Sequence, residues 1–233
     1  MGPQSFHQLY LIPAFRMPIH NGMFDGLRYY SVRAASREPL RRFIVDGLVI
    51  AGCRILFASK ADRAPFVISF ETRDGERMGI IAYAFLATRT PTKNRPSDER
   101  SFQIKYGSKE AYADENLHDL WQDPLGLMTT LLIAIDPSEG FFVAADPVAH
   151  SPTKFFIRVE FKDDDATTIK RDGWHAWERA RRSGPMAAPV EVLVGGTQDM
   201  LLRLIRFEQA ARGLPPGDRQ LLAEKTHESG SAS

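Results

Sequence analysis

The chain has 233 residues, enough for one large domain or two small ones. Hydrophobic residues make up 43 % and charged residues 25 %, and the formal net charge is only +1. That balance excludes a uniformly basic DNA-coating protein but allows a local basic cleft. The single cysteine, Cys53, excludes a disulfide framework and a cysteine-rich zinc site, and the simplest expected home is the cytoplasm. Residues 1–20 lack the pattern of a signal peptide, because there is no basic start and Pro13 and Arg16 interrupt the apolar run. No apolar run is long enough to cross a bilayer.

After an irregular start, "SREPLRRFIVDGLVIAG" predicts a helix. Ser36 is its expected cap, Pro39 lies in its first turn, and Leu40, Phe43, Ile44 and Leu48 form its apolar stripe. "CRILFAS", "PFVISFET" and "ERMGIIAYAFLATR" predict strands, the last two joined by a tight turn at "RDGE". "TPTKNRPSDE" reads as an exposed loop and "RSFQIKYG" as a further strand.

The rhythm then changes. "DENLHDLWQDPLGLMT" predicts one helix or two short ones, disturbed by Pro124. "TTLLIAID", "FFVAADP" and "FFIRVEFK" predict three strands. "DDDATTIKRDGWHAWERARR" reads as mostly helical, with Gly173 a possible division. "PVEVLVGG" is a fourth strand, and residues 198–212 form a strong helix stopped by Gly213. The expected fold class is α/β (α+β), a mixed sheet flanked by helices. Residues 1–112 form a strand-rich lobe or an elaboration of the same sheet, 113–213 an α/β core, and 214–233 a flexible tail.

Chemistry concentrates in "FFVAAD" and "FFIRVEFKDDD". On a strand, Glu160 and Lys162 share a face. If a hairpin brought Asp146 close to Glu160, the two carboxylates would suit a magnesium ion. The metal would activate water, and Lys162 would orient it or neutralise transition-state charge. The alternative is a solvated Glu160–Lys162 pair worth a few tenths of a kcal/mol, about what exposed pairs give. Asp163, Asp164 and Asp165 suit a helix start.

This order of helix, three strands, helix and strand, with Asp146…Glu160-x-Lys162, resembles the PD-(D/E)XK nuclease superfamily over about residues 114–196. The chain departs from its motif in having Ala145 before Asp146, with the proline following as Pro147. The resemblance implies a restriction-endonuclease-like core and magnesium-dependent hydrolysis of DNA phosphodiesters, frequently by a dimer. Gln103-x-Lys105 is a variant of the same motif and a second placement of the site, with Glu71, Asp74 or Glu76 as the upstream acid.

Arg89, Lys93, Asn94, Arg95, Arg100 and Lys105, with Lys109 just beyond, make the most basic segment and a candidate contact for double-stranded DNA. Tyr106 is a candidate stacking residue. Arg179, Arg181 and Arg182 either touch a DNA backbone or suit a helix C-terminus. Trp174 and Trp177 read as helical packing, or as part of a cage for a methylated base. His150 lies in the loop after Asp146, where it could assist a phosphate. No phosphate loop, nucleophile elbow or zinc motif is present, so no nucleotide cofactor is expected.

Two functions stand side by side. One is a magnesium-dependent DNA endonuclease of a bacterial restriction or defence system. The other is a non-catalytic DNA-binding specificity domain, including one that recognises modified DNA. A homodimer is expected if both strands are cut, with helix 198–212 either its interface or packed inside the monomer.

Overall fold

The computed structural model describes residues 24, 26–89, 96–105, 117–154, 156–180 and 190–228. In chain order the elements are β1 (Tyr30–Ser31), α1 (Ala34–Ile50), β2 (Arg54–Ala58), β3 (Arg63–Ala64), β4 (Phe66–Glu71), β5 (Arg77–Leu86) and β6 (Glu99–Lys105). Then follow β7 (Leu117–His118), β8 (Met128–Asp136), β9 (Phe141–Ala145), β10 (Thr153–Lys154) and β11 (Phe156–Lys162). The chain continues with α2 (Asp163–Asp172), β12 (Trp174–Ala180), β13 (Val190–Thr197), a 3-10 turn (Gln198–Met200), α3 (Leu201–Ala210) and α4 (Pro216–Glu228).

A seven-stranded sheet organises the molecule, in the order β12-β13-β9-β8-β5-β4-β2. Among the described strands of this sheet, only the β5–β8 pair is parallel. Strands from before and after residue 112 thus share one sheet. The mixed α+β class expected from the sequence is the one observed.

The central strands are apolar nearly throughout because both of their faces are covered. On one face Ile80, Ala82, Leu131, Ile133, Phe142 and Val194 meet α1, α3 and α4. On the other Ile81, Tyr83, Leu132, Val143 and Leu193 meet α2 and the β6–β11 ribbon. Burying each such Val, Leu, Ile or Phe side chain is worth about 1.5–3 kcal/mol. The α1 stripe of Leu40, Phe43, Ile44, Gly47 and Leu48 is buried as its spacing predicts. A Cβ on Gly47 would collide with Leu201 and the Gln198 carbonyl, so glycine permits the close approach of α1 to α3. Among the described residues no helix is long and apolar enough to cross a membrane.

Several expectations change. α1 begins at Ala34, so Pro39 lies inside it, and the Ser36 hydroxyl donates back to the Arg33 carbonyl at 2.8 Å instead of capping. No helix forms in the described part of 114–129, where Asp123 ties a turn by accepting from the amides of Leu125 (2.9 Å) and Met128 (2.7 Å). Helix α2 ends at Gly173, whose φ of 76° is left-handed, and 174–180 continues as a strand. Trp174 and Trp177 therefore fall on opposite faces of the sheet and cannot form one cage. The apolar face of α3 is buried within the monomer, not available as an interface. Within the stretch expected as a tail, Pro216–Glu228 form α4.

Candidate functional site

Asp146 follows β9, where the chain leaves the sheet. It is 7 % exposed. Its Oδ1 accepts from the Val148 amide at 2.8 Å, and its carbonyl accepts from the His150 amide at 3.2 Å. Its Oδ2 faces Arg219 Nε at 3.6 Å. Arg219 comes from α4, is 1 % exposed, and donates to Glu208 Oε1 at 2.8 Å and to the Ala211 carbonyl at 3.2 Å. One guanidinium is shared between two buried carboxylates. Burial pushes Glu208 up to about 7 despite Arg219, and the charge of Asp146 adds to the push. Arg219 is held charged: its burial is outweighed by Glu208 and Asp146. Beside them lies a cavity of about 90 Å³, walled among others by Gln122, Thr130, Asp146, Glu208 and Arg212.

A second buried ion-pair chain adjoins it. His150 Nε2 lies 2.7 Å from Glu191 Oε2, and Arg179 Nε donates to Glu191 Oε1 at 2.5 Å. Burial would raise Glu191, but hydrogen bonding and charge from His150 and Arg179 bring it down to about 2. Arg179 also donates to the Glu160 carbonyl at 3.1 Å, which ties β12 to β11. His150 and Arg179 are thus bound to a carboxylate, not turned to a phosphate.

Glu160 and Lys162 stand on a different ribbon. β11 pairs with β6, placing Glu160 opposite Ser101, Lys162 opposite Glu99 and Arg158 opposite Gln103. β9 instead pairs with β8 and β13, so the hairpin that would join Asp146 to Glu160 does not form. The Lys162 ammonium donates to both Asp98 oxygens, at 3.2 and 3.0 Å, and its amide donates to Asp165 at 2.7 Å at the start of α2. These donors do not match a magnesium ion, which needs converging hard oxygens. The Asp146 carboxylate accepts from the Val148 amide and faces Arg219 at 3.6 Å, and Glu160 is on a strand that does not pair with β9. Among the described residues no group of three or more His, Cys, Asp or Glu side chains could hold a metal ion.

The expected DNA contacts are also engaged where they are described. Arg100 is 8 % exposed and donates to Asp163 and Glu139 at 2.6 Å each. Arg89 pairs with Asp163 at 2.8 Å. Lys93, Asn94, Arg95, Tyr106, Lys109, Arg181 and Arg182 lie outside the described residues, as does the side chain of Lys105. Trp174 donates its indole N–H to the Ala223 carbonyl at 3.1 Å, and Arg203 lies 4.1 Å over its ring.

Among known proteins, the family model described as Methylase-associated X1 matches residues 78–205, more than half of the chain. The chain belongs to the Methylase-associated X1 family. No curated protein and no solved structure matches it.

The Methylase-associated X1 match runs from β5 into α3 and contains Asp146, His150, Glu160, Lys162, Arg179 and Glu191. It stops before Glu208 and Arg219, so the cation that engages Asp146 lies outside the matched stretch. Sequence reasoning missed Glu191, Glu208 and Arg219. Only a charged residue inside an apolar strand, Glu191, or on an apolar helix face, Glu208, could have drawn attention to them.

Proposed function

We propose that this chain is a DNA-recognition module that accompanies a methylase in a restriction–modification system and does not itself cut DNA. Membership of the Methylase-associated X1 family carries the reading, since the family's description sets it beside an enzyme class that includes DNA methylases. The site geometry supports the non-cutting half: Asp146 is engaged by Arg219, and Lys162 by Asp98 and the start of α2.

The test uses the full chain with methylated and unmethylated plasmid, assayed for cleavage with magnesium and for binding in EDTA. Binding without cleavage is the expected result. Magnesium-dependent cleavage that Glu160→Gln abolishes would replace this reading with the endonuclease. Absence of binding in either form would remove the DNA role.

A further inference from the structure

The β1–β3 ribbon lies outside the stretch matched by the family model. Ser31 stands opposite Arg63 in it, and the Val32 amide extends the pairing to the Asp62 carbonyl at 3.0 Å. Burial alternates along the first strand. Tyr30 and Val32 are half-buried, and Tyr30 packs with Phe24 and Leu27 against the core. Tyr29, Ser31 and Arg33 are exposed, and so is Arg63 across from them. Tyr29 is 45 % exposed, a large aromatic left in water beside arginine. Arg63 is close enough to its hydroxyl to favour the ionised form, although burial has the larger, opposite effect.

Arg28 and Lys60 are also exposed at this end of the molecule. Elsewhere several exposed arginines are neutralised: Arg54 and Arg77 share Glu71, Arg206 meets Glu76, Arg171 holds Asp172, and Arg42 holds Asp46, while among the described residues Arg73 and Arg212 stand singly without a carboxylate partner. Among the described residues Arg28, Arg33, Lys60 and Arg63 have no carboxylate within 4.0 Å. The first turn of α1, which follows Arg33, holds no acidic side chain. Asp62 is the one acid within the ribbon's own two segments, 28–33 and 60–64. In a chain of net charge +1, an unneutralised cluster of this kind is a local positive field.

We infer that Tyr29, Arg33, Lys60 and Arg63 form a docking surface for the phosphate backbone of duplex DNA. The inference rests on the DNA-recognition reading and names the surface that performs it. Arginine and lysine would neutralise successive phosphates, and the Tyr29 hydroxyl would donate to a phosphate oxygen. Such contacts anchor and orient a protein without reading sequence. The surface therefore predicts affinity that is tolerant of sequence and steep in salt.

The experiment measures binding of the full chain to a fluorescent duplex by anisotropy across a salt series. It compares wild type, Arg33→Ala/Arg63→Ala, Lys60→Ala, and the control Arg42→Ala/Arg206→Ala, with circular dichroism to verify folding. The ribbon double variant should bind about tenfold more weakly or worse. Its slope of log K against log salt should flatten by about 1.8, and that of Lys60→Ala by about 0.9, from the counterions no longer released. The control should match wild type. If wild type binds and the ribbon variants bind equally well, the surface is overturned while the DNA reading stands. An equal loss in the control also overturns the surface, because the attraction is then spread over the whole molecule. Failure of the wild type to bind at any salt overturns both.

Discussion

Arg219 donates to Glu208 at 2.8 Å, with both side chains 2 % exposed. The pair is not a simple neutral bridge, because the same guanidinium also faces Asp146 at 3.6 Å. Two buried carboxylates share one cation, and the deficit falls on Glu208.

Stability should therefore decline as the pH rises from about 4.5 to about 7. Glu208 ordinarily titrates at 4.5 but is pushed up to about 7 by burial in the fold. Its folded form holds the proton that its unfolded form has released, so the contribution is full below 4.5, falls through the interval and is flat above 7. The full shift corresponds to about 3 kcal/mol at most. Urea unfolding at a series of pH values should show this decline in wild type and lose it in Glu208→Gln.

Removing the shared cation is a harsher change. Arg219→Met leaves two carboxylates in the interior without their partner, and should cost about 3–5 kcal/mol at neutral pH, as broken buried pairs do. Combining it with Glu208→Gln should recover part of the loss, because Glu208, which without Arg219 must take up a proton to stay buried, is replaced by a neutral amide. Additive losses in chemical denaturation would show that Arg219 and Glu208 are not coupled.

Helix α4 explains why this centre was hidden in the sequence. Its buried side chains among those described are Arg219 and Ala223, one turn apart. An arginine and an alanine make no hydrophobic stripe, so "GDRQLLAEK" reads as a tail. By contrast the apolar runs of β5, β8, β9 and β13 were legible because burial on both faces demands them. The 174–180 strand is not legible because a glycine in a charged, helix-compatible stretch reads as a division between helical parts, whereas Gly173 is the left-handed end of α2 and a strand follows. The Asp146–Glu160 hairpin failed for another reason. Strand partners are chosen over long range, and β11 pairs with β6, far earlier in the chain, instead of with β9.

At acidic pH the second buried chain should dominate. Burial opposes the ionised form of Glu191, yet His150 and Arg179 hold it down at about 2, below its ordinary 4.5. A depressed carboxylate contributes stability above the unfolded value, and that contribution is lost as the pH falls from about 4.5 through about 2. The amount is again about 3 kcal/mol. From Glu191 and Glu208 alone, the stability maximum lies near pH 4.5. Glu191→Gln should flatten the acid limb in pH-dependent unfolding and lower stability at neutral pH, since His150 and Arg179 lose their anion.

Lys162 separates the two functional readings most economically. Its ammonium pairs with Asp98 between two half-exposed side chains, 49 % and 54 % open to solvent. Such a pair is worth about 0–1 kcal/mol. The amide bond to Asp165 at the start of α2 belongs to the backbone and survives truncation of the side chain. Lys162→Ala should therefore change unfolding stability by no more than about 1 kcal/mol. It lies outside the β1–β3 ribbon, so DNA affinity by anisotropy should stay within about twofold of wild type, well inside the effect of losing one phosphate contact. If Lys162 instead served phosphodiester hydrolysis, the same substitution would remove magnesium-dependent cleavage while stability and binding held. A wild-type protein that nicks plasmid and a Lys162→Ala protein that binds it without nicking would assign the lysine to catalysis and displace the recognition-only reading.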